Sequence, residues 1–427
     1  MRILWITNIM MPPLCERLEL PIPVAGGWMY SSAKRILEIE PAMNLAVATV
    51  YKGSLFQKYV VSGISYYLLP MYGKDVRRYH SHLETFWRKV SDDFRPDLVH
   101  LHGTEFPIGQ AFIKACPEVK AVASIQGIVS VIARYYLGGM RFWNILRNIT
   151  FRDVVRRNNL WQGQHDFVIR GRYEREVMNM VGHIIGRTSW DRAHAYAINP
   201  KAKYHFCNET LRDEFYKHQW RYVDCEKHSI FLSQAHYPIK GLHKVLEALP
   251  LVLREYPDTM VYVAGEDIRK LGTLKNRIKR SGYGCFIMRL MRKLRLEEHI
   301  VFTGALDEKA MCKRYLLSNL FICPSAIENS PNSLGEAQLL GVPCLASYVG
   351  GVPDMIPSDA CGMMYRFEEV EMMACRISEW FEKSKSFDNS EMRQISRERH
   401  NPALNSKCLL EIYQMIINES TYEVGIK

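Results

Sequence analysis

Two glutamates separated by seven residues stand in the segment of this chain whose side chains are best suited to chemistry. The segment reads Ser325-Ala-Ile-Glu-Asn-Ser-Pro-Asn-Ser-Leu-Gly-Glu-Ala-Gln-Leu-Leu-Gly-Val-Pro343, and the two acids are Glu328 and Glu336. A carboxylate can accept hydrogen bonds from two vicinal hydroxyl groups. One acid could therefore bind a sugar and the other a ribose diol, although Glu336 taken alone could equally be a solvated surface acid.

The same segment predicts a short helix with both ends marked. Ser330 is a suitable N-cap and Pro331 suits the first helical position, while Gly341 suits the position just after the helix. A helix start offers free N–H groups and partial positive charge, so it can bind a phosphate. Glu328 is expected in the loop before this helix and Glu336 inside it.

The rest of the chain predicts a scaffold that can bring such loops together. Apolar runs that predict strands alternate with helical patterns, which indicates parallel β-α-β units in doubly wound sheets of the α/β class. The pattern restarts after a polar segment at 216–227, so we predict two Rossmann-like domains, 1–220 and 226–402, with the tail 403–427 packed back on the first. The predicted strands are residues 3–7, 45–50, 66–69, 97–102, 121–125, 183–186, 204–207, 229–233, 260–264, 299–303, 320–323 and 343–347.

In doubly wound sheets, ligands bind beyond the carboxyl ends of the strands. In the first half the residues at such positions are Gly27, His102, Gln126 and Arg187. His102 forms a His-x-His pair with His100; no third metal ligand is evident, which leaves a structural role or a role on the acceptor side. Arg187 could bind an anionic ligand or form a salt bridge between domains.

Positive charge is concentrated in two stretches of the chain. The net charge is +11, which favours anionic partners. Basic residues cluster at 134–157 and at 269–295, and the second stretch contains no acid from Arg269 to Arg295. Arg141–Asn158 alternates apolar side chains with arginines and predicts a basic amphipathic helix, which could lie on an anionic membrane or pack on its own domain. The 269–295 stretch could extend that surface or be a solvated helix.

Several classes of protein are disfavoured. Neither aromatic platforms nor a groove-reading helix is evident, so nucleic-acid binding is not expected. No run of 18 uncharged apolar residues predicts a transmembrane helix. The first residues, Met-Arg-Ile-Leu-Trp-Ile-Thr-Asn, predict a strand and not a signal peptide. We therefore expect a cytoplasmic protein, with peripheral association with the inner face of the membrane left open.

An ordered series of motifs resembles the retaining nucleotide-sugar glycosyltransferases of the two-domain GT-B fold, in particular the family 4 type with its Glu-x7-Glu motif. The resemblance is strong over residues 229–370 and weak elsewhere. The series comprises Lys240-Gly241, Val263-Ala-Gly265, Val301-Phe-Thr-Gly304, Pro324-Ser325, Glu328-x7-Glu336, Gly341-x-Pro343 and Gly350-Gly-x-Pro-Asp354. It implies two Rossmann-like domains that face each other across a cleft, with a nucleotide-diphosphate sugar bound there as co-substrate and no cofactor.

The resemblance also implies roles for individual residues. Glu328 would contact the donor sugar, Glu336 the ribose and Lys240 the diphosphate, and Glu328, Lys240 and His102 are the candidate catalytic residues. Gly27 would let the backbone of the first domain approach the phosphates or the acceptor. The helix start that would bind phosphate comprises Ser330, Asn332, Ser333 and Leu334.

Two positions depart from the family pattern. Gln234 stands where the family usually has an arginine that contacts the diphosphate, and His236 or an arginine from elsewhere could replace it. Gln126 stands where many members have a histidine. This puts the geometry of the acceptor in question more than that of the donor.

The resulting prediction is a retaining glycosyltransferase of the hexosyltransferase type. Because the chain contains no Asp-x-Asp, it is expected to act without a metal. The acceptor would be a glycan or a lipid-linked sugar in the biosynthesis of a surface polysaccharide such as capsule, exopolysaccharide or lipopolysaccharide. A nucleotide-sugar epimerase is one alternative. The other is an inactive sugar-nucleotide-binding scaffold, which the glutamine at 234 keeps open.

Overall fold

A computed structural model describes residues 1–23, 27–270, 272, 273, 276 and 278–419 of the chain. The chain divides into two compact units. The first comprises Met1–Val129, Arg170–Thr210 and the residues from Asn401 onward, and the second comprises Ser130–Ile169 and Leu211–His400.

This division differs from the predicted ranges in one segment and at one boundary. Residues 130–169 belong to the second unit, although they were expected in the first. The reason is burial, because Met140 and Ile145 are part of the apolar core of the second unit. The boundary predicted in the polar segment at 216–227 lies instead between Thr210 and Leu211.

The first unit contains an eight-stranded sheet with the order β3-β4-β2-β1-β5-β6-β7-β8. All neighbouring strands are parallel except β3, which is antiparallel to β4. The strands are β1 Arg2–Ile6, β2 Asn44–Tyr51, β3 Gln57–Val61, β4 Ile64–Pro70, β5 Leu98–His102, β6 Ala121–Ser124, β7 His183–Gly186 and β8 Lys203–Phe206. The order of the strands reverses direction between β1 and β5, which is the switch point where such sheets bind ligands.

The second unit contains a six-stranded parallel sheet with the order β11-β10-β9-β12-β13-β14. Its strands are β9 Glu226–Leu232, β10 Met260–Val263, β11 Ile300–Phe302, β12 Ser318–Cys323, β13 Cys344–Ser347 and β14 Met363–Tyr365. Numbered within the unit, this is the 3-2-1-4-5-6 order of dinucleotide-binding domains, with the switch point between β9 and β12. The α/β class and the two doubly wound sheets are confirmed.

Helices connect the strands of both units. They are α1 Pro12–Arg17, α2 Gly27–Ile39, α3 His82–Phe94, α4 Ile108–Ala115, α5 Val129–Tyr135, α6 Phe142–Leu146, α7 Phe151–Val155, α8 Leu160–Met180, α9 Ser189–Ile198, α10 Leu242–Val252, α11 Gly282–Leu294, α12 Glu308–Leu316, α13 Asn332–Leu340, α14 Val370–Lys383, α15 Ser390–Arg399 and α16 Pro402–Asn418. None of the helices in the described ranges is long and apolar enough to cross a membrane.

The C-terminal helix α16 is part of the first unit. Tyr413 on this helix is fully buried, and its hydroxyl accepts a hydrogen bond of 2.9 Å from the indole N–H of Trp5 on β1. Because a buried indole needs a partner for its N–H group, this bond holds α16 to the first sheet.

The basic segment Arg141–Asn158 is not the single amphipathic helix that its pattern predicts. It forms the two short helices α6 and α7. Thr150 and Asp153 make a reciprocal capping box at the start of α7, and such a box satisfies the first N–H groups of a new helix. The first helix therefore ends at Leu146.

Candidate functional site

Lys240 is positioned by a tight turn at the switch point of the second sheet. It ends a 3-10 turn, Pro238–Lys240, that follows β9. The next residue, Gly241, has φ 73°, and a Cβ atom there would lie 1.7 Å from the carbonyl oxygen of Pro324 at the end of β12. Only glycine permits this approach. The turn therefore holds Lys240 beside the loop that carries Glu328.

Lys240 and Glu328 form an ion pair. The Lys240 Nζ lies 2.6 Å from Glu328 Oε1, and the hydroxyl of Ser325 donates to the same oxygen at 2.7 Å. Burial alone would lower the pKa of Lys240, but the attraction of Glu328 outweighs it and the pKa is raised. The lysine is therefore a fixed positive charge at neutral pH.

The loop after β13 fixes the backbone of Glu328. Gly350 has φ 53°, and a Cβ atom there would lie 1.9 Å from the Glu328 carbonyl oxygen. The N–H of Gly351 donates to that oxygen at 3.1 Å. The Gly-Gly motif thus lets two loops pack closely, and Glu328 is held from both sides.

Helix α13 begins beyond Glu328, one residue later than its caps suggest. Pro331 is the N-cap, with an extended backbone, so the assignment of Ser330 as N-cap is wrong. The Ser330 hydroxyl instead lies 3.5 Å from the sulfur of Met355. Gly341 ends the helix in the left-handed region, as predicted.

The residues of the helix start have different environments. Asn332 and Ser333 are partly exposed, and the first N–H groups of a helix lack partners within it. Leu334 differs, because its side chain is in the core and its N–H donates to the Pro331 carbonyl at 2.9 Å. A phosphate could therefore use the N–H groups of Asn332 and Ser333 but not that of Leu334.

Glu336 is buried in α13 and paired with an arginine that the sequence pattern did not reveal. Arg212 Nε lies 2.7 Å from Oε1 of Glu336, and Arg212 Nη2 lies 2.8 Å from Oε2. Burial raises the pKa of the Glu336 carboxyl, and the guanidinium opposes that shift. A carboxylate has about four lone-pair positions, so a paired Glu336 retains acceptors for a diol.

Neither Gln234, which stands at the position of the missing arginine, nor His236 forms an equivalent clamp. Gln234 is exposed at the start of the loop that follows β9. The His236 ring lies against Gly265, where a Cβ atom would come within 2.3 Å of the ring. Arg212 is an arginine from another part of the chain that does reach this site. Its guanidinium pairs with Glu336 and so does not replace the missing diphosphate contact.

The first unit has a pocket of its own beyond the ends of β5, β6 and β7. It brings together His102, Gln126 and Arg187, the three residues predicted for the acceptor side. Other residues of the lining include Trp28, Ser124, Asn208, Glu209, Thr210 and Asn405. Gly27, the remaining candidate of the first unit, is the first residue of α2.

His102 is a buried neutral imidazole that lines this pocket. Its exposed fraction is 7%, and within the described part of the chain neither ring nitrogen has a hydrogen-bond partner. Burial lowers its pKa to about 3. The ring packs against Trp5, with centroids 4.3 Å apart. A neutral imidazole of this kind can exchange hydrogen bonds with a hydroxyl group.

Arg187 is committed to a contact within its own unit. Its guanidinium pairs with the carboxylate of Glu209 and donates to the Ile125 carbonyl at 2.7 Å. Gln126 Nε2 donates to the same carboxylate at 2.7 Å. The charge of Arg187 is thus balanced within the first unit by Glu209.

Besides Glu209, a second acid near this pocket was not predicted from the sequence. Glu105 follows β5, and its carboxylate occupies the space that a Cβ atom on Gly103 would need. Burial raises the pKa of Glu105 to about 7, and the nearby carboxylate of Glu174 adds to the shift. Shifted carboxyl groups of this kind are frequent at functional sites.

Part of the second unit is similar to a known family. Residues 214–399 match the family described as "Glycosyl transferases group 1". Spore coat protein SA of Bacillus subtilis is 28% identical over 143 residues, which are 33% of this chain and 36% of that protein. The chain thus spans about a third of the length of this relative.

Solved structures show the same fold over nearly the whole chain. Sucrose-phosphate synthase from Thermosynechococcus elongatus has a TM-score of 0.71 and 12% identity, and covers 98% of this chain and 100% of its own. HepE from Anabaena, in complex with UDP and glucose, has a TM-score of 0.64 and 14% identity, and covers 97% of this chain and 99% of its own. These likenesses show that the chain has the two-domain GT-B fold.

The family match contains some of the site residues and not others. Lys240, Glu328 and Glu336 lie inside the matched range, while Arg212 lies just before it. The pocket residues His102 and Glu209 belong to the first unit, which the family match does not reach. The family match therefore supports the assignment of the donor-side residues. The assignment of the first-unit pocket is supported by its geometry and not by the family match.

Proposed function

We propose that this protein is a retaining glycosyltransferase that moves a sugar from a nucleotide-diphosphate sugar to a hydroxyl group of a glycan or a lipid-linked sugar. The observation that carries the proposal is the Lys240–Glu328 pair, with its 2.6 Å contact at the switch point of the second sheet. It places a cation suited to a diphosphate beside a carboxylate suited to sugar hydroxyls. A bound diphosphate would compete with Glu328 for the lysine.

The chemistry demands stabilisation of the leaving group. Breaking the bond between the anomeric carbon and the diphosphate develops negative charge on the diphosphate, and preorganised positive groups lower that barrier. Lys240 and the N–H groups of Asn332 and Ser333 supply such groups. The acceptor hydroxyl would attack from the face that the diphosphate leaves, which retains the configuration, and a departing phosphate oxygen would take its proton.

Two features support the choice of substrates. HepE was solved with UDP and glucose, so UDP-glucose is the first donor to test. The pocket of the first unit combines the Trp28 indole with the neutral imidazole of His102 and the carboxylate of Glu209. An aromatic face and uncharged or acidic hydrogen-bonding groups suit a sugar acceptor. We therefore propose that the acceptor binds in this pocket. The reaction would belong to the biosynthesis of a surface polysaccharide.

A product assay tests the proposal against its rivals. Purified protein would be screened by thermal shift against nucleoside-diphosphate sugars, then incubated with the best donor and glycan or lipid-linked acceptors. A product whose ¹H NMR coupling shows the donor's anomeric configuration supports the proposal. An inverted product, epimerisation of the donor without an acceptor, or donor binding without turnover on any acceptor would each contradict it.

Replacing Lys240 with Ala is expected to weaken donor binding. The loss of a charge-assisted phosphate contact costs about 1.5–3 kcal/mol, which corresponds to roughly 10–150-fold in Kd. Calorimetric titration with the nucleotide sugar measures it. Lys227→Ala is the matched control, because Lys227 is exposed on β9 at its amino end. Equal donor affinity in Lys240→Ala and the parent would remove Lys240 from the site.

EDTA is expected to leave the initial rate of transfer unchanged. The reason is the absence of an Asp-x-Asp sequence that could bridge a metal to the diphosphate. Rates would be compared with EDTA and with EDTA saturated beforehand by Mg²⁺, which controls for nonspecific effects. Loss of activity in EDTA that Mn²⁺ restores would overturn the metal-free mechanism.

A further inference from the structure

The segment with α6 and α7 exposes an unusual amount of apolar surface. Six large apolar side chains within it are between 41% and 78% exposed, and they include two aromatic residues of α6. They are Phe142, Trp143, Leu146, Phe151, Val154 and Val155. Six exposed apolar side chains within 14 residues are typical of an interaction site.

The segment is fixed to the second unit through its opposite face. Ile145 is buried in the same core as Phe286 and Ile287 of α11. The Thr150 hydroxyl donates to the Arg280 carbonyl at 3.2 Å. The buried side of the segment therefore holds it in place, and the six apolar side chains point into solvent.

The charged residues of this surface have one sign. Four arginines of the segment are exposed: Arg141, Arg147, Arg156 and Arg157. None of these four takes part in an ion pair among the described residues. Asp153, the one acid between 134 and 157, is buried.

The basic helix α11 continues this surface. Arg289 Nη1 donates to the Arg147 carbonyl at 2.8 Å. Arg289, Arg292, Lys293 and Arg295 are all exposed, and no acid occurs from Arg269 to Arg295. The two basic stretches of the sequence thus meet on one unit.

We propose that α6, α7 and the adjoining basic face of α11 form a docking surface for an anionic lipid bilayer. Its composition is what favours a bilayer. Trp and Phe side chains can enter the interface while arginines contact acidic headgroups, and the surface exposes no acid that would repel them. The proposal concerns binding alone and does not depend on the transferase activity.

Vesicle flotation tests the proposal directly. The full chain would be mixed with vesicles of phosphatidylcholine alone or with 30% phosphatidylglycerol, at ~0.05 M and ~0.5 M salt, since salt shortens the Debye length. We expect it to float with the anionic vesicles at low salt and to be released at high salt. Equal binding to neutral vesicles, or no binding to anionic ones at low salt, overturns the proposal.

Charge and apolar variants identify the surface. The triple variant Arg147→Gln, Arg156→Gln, Arg157→Gln should weaken partition roughly 100-fold, since each base near an anionic surface contributes ~1 kcal/mol. Phe142→Ser with Trp143→Ser should also lose most of the binding. Both variants should keep the parent's circular dichroism spectrum and donor affinity.

A matched control removes the same charge elsewhere on the second unit. Lys309 and Lys313 are exposed on α12, whose buried residues belong to the core on the other face of the sheet. Replacing them and Lys227 with Gln should leave partition within about 3-fold of the parent. Equal losses in both triple variants would show that net charge, and not this surface, drives binding. Self-association without vesicles that Phe142→Ser with Trp143→Ser abolishes would instead assign the surface to a second copy of the chain.

Discussion

Glu328→Gln is expected to lower the rate of sugar transfer by at least ~100-fold while leaving the fold intact. The substitution keeps the size of the side chain and its hydrogen-bonding contact with Ser325, but it removes the negative charge. Removing one preorganised group that acts in the transition state costs about 10²–10³ in rate. Steady-state kcat with a saturating donor measures the effect.

Glu226→Gln is the control for this variant. Glu226 also forms an ion pair, with Arg314 at 2.9 Å, but it lies at the amino end of β9. Its kcat should stay within about 2-fold of the parent. If Glu328→Gln turned over as fast as Glu226→Gln, with the same donor, Glu328 would not be part of the reacting site.

The sheets were predictable because most of the parallel strands contain short apolar runs that are buried in the structure. All twelve predicted strands are present, most with ends shifted by one to three residues. Two strands were missed. In β3, exposed and partly buried residues alternate, and β14 has only three residues at the edge of its sheet. Neither forms a long apolar run, so periodicity did not reveal them.

The donor-side loops were predictable to the extent that local motifs define them. Lys240 and Glu328 come together because glycines at 241 and 350 allow close backbone approach, and both glycines are visible in the sequence. The first cap of α13 was misplaced by one residue. Serine and proline are both acceptable near a helix start, and the choice depends on the backbone of Pro331.

Contacts between distant parts of the chain were not predictable. Arg212 is 124 residues from Glu336, and Glu209 is 83 residues from Gln126. No local pattern signals such pairs. The same limit explains why residues 130–169 were placed in the wrong unit. The amphipathic pattern of Arg141–Asn158 within them predicts a buried face, but it does not show which core that face joins.

Arg212→Ala is expected to destabilise the second unit strongly. It would leave the Glu336 carboxylate, which is 5% exposed, without its cation. Breaking a buried ion pair from one side costs about 3–5 kcal/mol, which corresponds to a fall in Tm of roughly 6–20 °C for a unit of this size. Differential scanning calorimetry of the full chain, in the absence of nucleotide sugar, would measure it.

Two further variants test whether the expected loss of stability comes from the burial of the Arg212–Glu336 ion pair. Arg221→Ala removes an arginine from an exposed pair with Asp224, where the side chains are 68% and 51% exposed, and it should lower Tm by less than ~4 °C because exposed pairs contribute about 0.2–1 kcal/mol. The double variant Arg212→Met, Glu336→Leu should recover most of the stability, since apolar side chains can replace a buried ion pair at little cost. It should still bind the nucleotide sugar poorly, because it lacks the carboxylate assigned to the ribose. An unchanged Tm in Arg212→Ala would mean that Glu336 is solvated, and full donor affinity in the double variant would remove Glu336 from the donor site. The double variant would thus distinguish the contribution of Glu336 to stability from its contribution to donor binding.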